Sequence, residues 1–330
     1  MRLLKFLVLS AAFLPALIPI AASAAAPDQR ILGAQVLLDR LGFGPGVIDG
    51  AGGMSFAKAL RGWQEAKGLP LTGKLDAATV KSFAPFRAMP TVIDVKLTPA
   101  ILEGPFVGPL PAKESDQAKM KSLGYADAME KLAERYHTTR ATLIALNSPQ
   151  TRVRPGATIK VPNVIPPKQA FAQDINPAWR KTLWTLNVGS DQPEVAKVVV
   201  DKSDGVLRGY DGAGKLVAQF PATMGSEYDP LPIGTWKIQG RSYNPPFHYN
   251  PKLFWDADST DKKALLPPGP NGPVGVVWID LDKKHYGIHG TPRPETIGRT
   301  ESHGCIRLTN WDAARLALMV KPGTPAVFQE

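Results

Sequence analysis

Proline divides this chain into segments of different periodicity, which limits the folds open to it. The sequence holds 32 prolines in 330 residues, about twice the usual ~5% share. They are spread through 90–111 and recur at 166–167. Apolar residues recur at helical spacing around these stretches, whereas from Pro193 onward they form short runs typical of strands. The pattern predicts a multidomain chain.

The predicted units differ in fold class. We predict a small all-α domain of three helices at 27–86, a proline-rich linker at 87–119, a small α+β module at 120–165, a second linker at 166–192, and a mainly-β domain with one C-terminal helix at 193–330. The three structured ranges are called the first, second and third units below. Predicted helix N-caps are Ser55, Asp76, Thr139 and Asn310, because short polar side chains satisfy the free N–H groups there.

Residues 1–26 have the organisation of a secretory signal. Arg2 and Lys5 precede the apolar run from Phe6 to Ile20, and small residues follow as cleavage candidates. We therefore expect export to the periplasm, association with the cell wall and no stable membrane span. The formal charge of +10 becomes +8 without the two basic residues. This excess suits an acidic polymer, and no basic run with interleaved aromatics predicts nucleic-acid binding.

The chain's one cysteine lies close to two histidines in the sequence. A single cysteine excludes a disulfide within the chain and any multi-cysteine metal site. Cys305 lies two residues after His303 and sixteen after His289. A histidine can take the proton of a thiol and make it a nucleophile. Gly304 allows close backbone approach, and its N–H with that of Cys305 could stabilise an oxyanion. The alternative is a buried, inert thiol.

A zinc site is the second alternative for these residues. Cys305, His303, His289 and His285 are all possible ligands. His285 and His289, however, lie in a segment with strand character, where four residues span about 13 Å. That distance is too long for two ligands of one ion, so a metal site is not the favoured interpretation.

The segment from Tyr286 to Arg307 closely resembles the L,D-transpeptidase catalytic domain of the YkuD/ErfK type. The resemblance rests on Ile288-His289-Gly290-Thr291, on Ser302-His303-Gly304-Cys305-Ile306-Arg307, and on Pro232-Ile233-Gly234 further upstream. It implies that Cys305 is the nucleophile and His289 the general base and acid. The other implied site residues are His303, which shapes the site, Gly304 as an oxyanion donor, Ser302 as a nearby hydrogen-bonding group, and Arg307, Gly290 and Thr291 as substrate-binding residues. The resemblance implies no metal or organic cofactor. It does imply acylation by carbapenems.

The two upstream units resemble wall-binding modules. In the first unit, Leu41-Gly42-Phe43, Asp49-Gly50 and Trp63-Gln64 resemble the peptidoglycan-binding type 1 family. In the second, Leu146-Asn147 and Pro155-Gly156 resemble a LysM module, although its opening strand is hard to find before Asp127. These resemblances imply peptidoglycan as the partner. A helical spacer and a packing role are the alternatives for the two units.

The predicted activity is formation of 3-3 cross-links between diaminopimelate residues of peptidoglycan tetrapeptide stems. The same nucleophile could instead serve an L,D-carboxypeptidase, a cross-link hydrolase or an enzyme that attaches lipoprotein to the wall. A non-catalytic wall-binding scaffold is the third possibility. The sequence specifies neither the acceptor nor the oligomeric state.

Overall fold

The computed structural model describes residues 26–330. The predicted signal sequence lies outside them except for Ala26. Within the described part of the chain, no helix has both the length and the apolar character that a bilayer span requires.

The first unit is a bundle of three short helices. These are α1 (Gln29–Arg40), α2 (Met54–Ala66) and α3 (Ala77–Ser82), followed by a 3-10 turn at Ala84–Phe86. Asp76 caps α3 as predicted, by accepting from the Thr79 N–H. The prediction for Ser55 was wrong, since α2 begins at Met54 after Gly53 without a side-chain cap. Trp63 is buried at the centre of the small core.

The second unit contains two helices and a two-stranded sheet. Its helices are α5 (Ala128–Arg135) and α6 (Arg140–Leu146), the latter capped by Thr139 as predicted. Strand β1 (Val92–Lys96) pairs antiparallel with β2 (Thr158–Pro162). The prediction of a linker over 87–119 is therefore corrected, because the opening strand of the second unit lies inside it. Helix α4 (Glu114–Gln117) lies there too.

The core of the third unit begins earlier than predicted. Helix α7 (Pro177–Thr185) falls within the range 166–192 that was expected to be a linker. Trp179 and Leu183 are fully buried in the same apolar cluster as the strands of the third unit. The predicted start of the third unit at residue 193 is therefore corrected, because α7 side chains fill its core. The prolines around α7 hide this helix in the sequence.

A nine-stranded mixed sheet forms the third unit. Its strands in chain order are β3 (Lys197–Asp201), β4 (Val206–Tyr210), β5 (Leu216–Pro221), β6 (Thr223–Met224), β7 (Gly234–Tyr243), β10 (Val277–Leu281), β11 (Gly287–His289), β12 (Ile306–Arg307) and β13 (Pro325–Gln329). In space the order is β5-β4-β3-β13-β7-β10-β11-β12-β6. A separate hairpin, β8 (Phe247–Tyr249) with β9 (Ala264–Leu266), leaves the sheet after β7. A 3-10 turn follows β8 at Pro251–Leu253, and another follows β11 at Pro294–Thr296.

Helix α8 (Asn310–Met319) packs against the sheet beside the strands of the site. Its N-cap is Thr309, whose hydroxyl accepts from the Asp312 N–H at 3.1 Å. Asn310 is therefore the first helical residue and not the cap, which corrects the prediction. The Asn310 side chain instead donates a hydrogen bond to Glu134 and accepts one from the Val276 N–H.

A buried ionic cluster joins the three units. Asp39 of α1 accepts two hydrogen bonds from Arg315 of α8, at 2.8 and 3.1 Å. The same carboxylate lies 3.0 Å from Nδ1 of His137 in the second unit, and Arg315 also reaches Asp312 at 3.3 Å. The first unit further covers the sheet edge, because the N–H of Gly44 donates to the carbonyl of Gln219 in β5. The three units thus pack as one body.

Candidate functional site

Two short parallel strands bring the predicted site residues together. In the pairing of β11 with β12, Ile288 lies opposite Ile306 and His289 lies opposite Arg307. Alternation along a strand sends neighbouring side chains to opposite faces. The two isoleucines are fully buried in the core, so His289, Arg307 and Cys305 share the other face.

That face is the floor of a cleft of about 1450 Å³. Cys305, His289, His303 and Arg307 all line it, with Trp278 and Tyr286 beside them. One wall is the β8–β9 hairpin with the loop that follows β8, and residues 112–115 of the segment once expected to be a linker contribute another part. The cleft's volume exceeds the ~300–1,000 Å³ that is usual for small-molecule pockets.

The surroundings of the Cys305 thiol favour its protonated form. Burial raises the pKa of Cys305, and the Gly287 N–H and the charge of Arg307 offset this only in part. The Sγ atom lies 3.7 Å from the carbonyl oxygen of His285. The thiol therefore needs a base to become a nucleophile.

His289 lines the same cleft as Cys305. It is 4% exposed and stacks on Trp278 with ring centroids 5.4 Å apart. Its Nδ1 lies 2.7 Å from the carbonyl oxygen of Gly290. A carbonyl can only accept, so Nδ1 carries the proton and Nε2 is left unprotonated. Burial, followed by the charge of Arg307, lowers the pKa of His289 to about 3, against the opposing effect of the Gly290 bond.

The two groups are neighbours in the cleft without a direct bond. Within residues 26–330, no hydrogen bond joins the His289 ring to the Cys305 sulfur. His289 ends β11, Cys305 immediately precedes the paired strand β12, and both side chains line the same cleft. Such pairs commonly tighten only when substrate is bound.

Ser302 and Gly304 shape the turn that presents Cys305. The Ser302 hydroxyl accepts from the Gly225 N–H at 2.7 Å and donates to the Cys305 carbonyl at 2.6 Å. Gly304 has φ +88°, and a Cβ there would lie 2.6 Å from Cε1 of Tyr286. Only glycine meets both conditions without strain.

His303 has a partner that the sequence does not reveal. Its Nε2 lies 2.8 Å from Oδ1 of Asp256, and its ring packs edge-on against Phe254 at 4.8 Å. Both partners belong to the loop between β8 and β9. The 47 residues that separate Asp256 from His303 leave no spacing signal, so sequence reasoning missed Asp256. The contact ties the cleft wall to the turn next to Cys305.

Arg307 faces the cleft with its charge available. Its hydrogen bonds go to the Glu301 carbonyl at 3.3 Å and to Nδ1 of His303 at 3.4 Å. No carboxylate in the described part of the chain pairs with it. Burial lowers its pKa, but a guanidinium stays charged at neutral pH. This geometry suits an anionic group of a ligand.

Gly290 and Thr291 lie behind the site and not on its surface. Both are buried, and neither lines the cleft. A Cβ on Gly290 would lie 2.1 Å from Oδ1 of Asn310, and the Thr291 hydroxyl accepts from the Arg293 N–H at 3.3 Å. Both residues contact the protein in this structure, and their substrate-binding role stays a prediction.

The described residues contain no set of side chains arranged as metal ligands. Across residues 26–330, no group of three or more histidine, cysteine, aspartate or glutamate side chains is arranged to hold an ion. Cys305 and His303 face the same cleft, but His303 is engaged with Asp256. The cleft brings together a thiol, imidazoles and a guanidinium.

Comparison with known proteins identifies two segments. Residues 196–328 match the family model of the "L,D-transpeptidase catalytic domain", and residues 28–82 match that of a "Putative peptidoglycan binding domain". The "Putative L,D-transpeptidase YkuD" of Bacillus licheniformis is 33% identical over 128 residues, which are 39% of this chain and 62% of that protein. The "Probable L,D-transpeptidase YbiS" of Escherichia coli K12 is 29% identical over 134 residues, or 40% of this chain and 44% of that protein.

A solved structure named "L,D-transpeptidase from Mycobacterium smegmatis" aligns with a TM-score of 0.34 at 20% identity, over 54% of this chain and 76% of that one. This chain spans less than two thirds of the length of either curated relative described above. The family matches, however, fall on the units that the fold separates. The chain therefore contains an L,D-transpeptidase catalytic domain at residues 196–328 and, ahead of it, a domain of the peptidoglycan-binding family at residues 28–82.

Proposed function

We propose that the protein is an exported cysteine L,D-transpeptidase that joins peptidoglycan tetrapeptide stems by 3-3 cross-links. The observation that carries the proposal is that Cys305, His289 and Arg307 line one cleft, with His289 and Arg307 opposite each other on paired strands and Cys305 in the turn just before the second strand. The peptidoglycan-binding domain supports the choice of polymer. The signal-like residues 1–26 support action in the periplasm.

The first half-reaction forms a thioester. Nε2 of His289 takes the thiol proton as Sγ of Cys305 attacks the carbonyl carbon of diaminopimelate. The C–N bond to the terminal D-alanine breaks, and His289 returns the proton to the departing amine. The N–H groups of Gly304 and Cys305 hold the oxyanion that forms between these steps.

The second half-reaction transfers the acyl group. The side-chain amine of a second stem attacks the thioester carbon, loses a proton to His289 and releases the thiol of Cys305. Arg307 binds a stem carboxylate, because its guanidinium matches a carboxylate through two parallel hydrogen bonds. Water in place of the amine would release a tripeptide and make the enzyme a carboxypeptidase.

The resting charges favour general-base catalysis over a preformed ion pair. Burial lowers the pKa of His289 to about 3 and raises that of Cys305, which favours the neutral form of both groups at pH 7. Proton transfer then accompanies attack instead of preceding it. The thiol should consequently react slowly with small alkylating agents compared with an ion-paired cysteine.

Mass analysis of products tests the proposal. The purified protein is incubated with disaccharide-tetrapeptide, and we expect a tetrapeptide–tripeptide dimer with loss of one D-alanine. A tripeptide alone would indicate hydrolysis. The Cys305→Ala variant should form neither product, and normal product formation by it would overturn the assignment. A carbapenem adduct on Cys305 is expected, and its absence together with a lack of turnover would indicate a wall-binding scaffold.

A further inference from the structure

Glu134 is a buried acid of the second unit that reaches into the third. It lies near the C-terminal end of α5 and is 8% exposed. Its Oε1 accepts a hydrogen bond from Nδ2 of Asn310 at 2.7 Å, although 176 residues separate the two in sequence. Glutamate is rarely so buried unless it has partners. The contact therefore marks a specific connection between the two units.

The Asn310 side chain also forms hydrogen bonds with the backbone around the site. Its Nδ2 also donates to the carbonyl of Pro270 at 3.1 Å, and its Oδ1 accepts from the Val276 N–H at 3.2 Å. The side-chain amide is fully buried. Since Glu134 and Pro270 need a donor and Val276 needs an acceptor, the orientation of the amide is determined.

The Asn310 amide also lies directly against the backbone that carries His289. A Cβ on Gly290 would come within 2.1 Å of Oδ1 of Asn310, so the main chain and the amide are in close contact there. The carbonyl of that same glycine receives the bond from Nδ1 of His289. A shift of Asn310 would therefore move the group that sets both the tautomer and the direction of the imidazole.

We infer that Glu134 is a positioning residue for His289, acting through Asn310 and Gly290. The second unit then helps to position the catalytic base, in addition to any role in wall binding. This inference rests on the proposed function for its consequence in turnover. Its geometric part concerns the reactivity of Cys305 and can be measured separately.

The surroundings of Glu134 make the connection sensitive to pH. Burial raises the pKa of Glu134 to about 7; hydrogen bonds from Tyr125 and Asn310 lower it in part, and the charge of Glu130 raises it. Arg135 is directed instead at carbonyls near 184–185. The uncharged Asn310 is the group that α8 presents here. An ionised carboxylate is the stronger acceptor for the Asn310 amide, so positioning should improve as pH rises through about 7.

The test compares Glu134→Gln and Glu134→Ala with the wild-type full-length chain. Glu103→Gln is the matched control, since Glu103 is exposed and pairs with Lys181 at 2.9 Å away from the cleft. Two rates are followed across pH: alkylation of Cys305 by iodoacetamide, which is specific because the chain has one cysteine, and turnover of tetrapeptide.

We expect Glu134→Ala to lower kcat and the alkylation rate roughly ten- to a hundredfold, with KM changed less than about twofold, because misplacing a catalytic group by about 1 Å has effects of this size. Glu134→Gln keeps an acceptor for Asn310. It should match the wild type at low pH and fall behind as pH rises through about 7. The control should behave as wild type throughout.

Two results would overturn the inference. One is a Glu134→Gln profile that parallels the wild type at every pH. The other is a Glu134→Ala variant that melts at a lower temperature but keeps kcat and alkylation, which is the behaviour of a merely structural contact. If Glu134→Ala does not fold, the Glu134→Gln profile decides alone. Altered alkylation without any tetrapeptide turnover in the wild type would refute the proposed function and leave the positioning role standing.

Discussion

Replacing Asp39 by asparagine should weaken the packing of the three units against one another while changing almost no volume. The Asp39 carboxylate is fully buried and holds Arg315 of α8 and His137 of the second unit. Burial alone would raise the pKa of Asp39, but the charges of Arg315 and His137 and their hydrogen bonds lower it well below its usual 3.8. The carboxylate is therefore charged in the folded protein at neutral pH, and asparagine removes that charge from a buried cluster.

The expected loss is about 3 kcal/mol in the free energy of unfolding. Removing one partner of a buried ion pair costs ~3–5 kcal/mol, because the remaining charge stays buried without compensation. The lower end applies here, since Asp312 remains 3.3 Å from Arg315 and can take over part of the pairing. The asparagine oxygen also retains one acceptor.

Urea unfolding of the full-length chain measures this loss. The matched control is Asp94→Asn, because Asp94 forms an exposed ion pair with Lys160 at 3.1 Å, and such pairs are worth ~0–1 kcal/mol. We expect the control to lie within about 0.5 kcal/mol of wild type. Equal stability of the two variants would refute the view that the buried cluster holds the units together.

The same carboxylate has a defined pH dependence. A carboxyl whose pKa is lower in the folded than in the unfolded state adds stability above the unfolded value and loses it as pH falls. For Asp39 the contribution should be complete above its unfolded value of 3.8 and decline below it. Asp39→Asn should therefore differ most from wild type at neutral pH and converge with it in acid.

Three further predictions concern the site and its support. Gly304→Ala should reduce kcat by at least tenfold, because its φ of +88° and the contact with Tyr286 leave no room for a methyl group; product assays with a circular-dichroism check measure it. Ser302→Ala removes the bonds to the Gly225 N–H and to the carbonyl of the nucleophile, and we expect ~1–3 kcal/mol lower stability and slower acylation by a carbapenem. Trp179→Ala should cost ~3–5 kcal/mol by urea unfolding, since the ring is fully buried; a change below 1 kcal/mol would contradict its place in the core.

Local sequence patterns were enough to propose which residues lie together at the site. Cys305 and its flanking residues lie within six consecutive positions, from Ser302 to Arg307. His289 ends a short strand that pairs with the strand following the cysteine. Parallel strands in one sheet bring such segments together, so sixteen residues of separation were enough to anticipate a common site. The strand runs from Val195 onward were equally readable from their apolar pattern.

Long-range contacts were not predictable in this way. Strand β1 lies between Pro90 and Pro99, whose density suggested a linker, and its partner β2 follows sixty residues later. The bonds of Asp256 to His303 and of Glu134 to Asn310 link different elements at long separation. A side chain that is buried by another unit leaves no periodicity in its own segment. The contacts of these residues are determined by tertiary packing, which the local sequence pattern does not show.

The raised pKa of Cys305 would protect its thiol in an oxidising compartment such as the periplasm proposed above. The thiolate is the form that oxidants and disulfides attack, so a neutral thiol persists where an ion-paired one would be modified. Burial is the largest cause of the raised pKa, and burial also lowers the pKa of His289. One physical effect thus favours the neutral form of both side chains. If the protein acts as proposed, the proton transfer takes place within the attack step, and the direction of the His289 ring, with the contacts that fix it, should control the rate.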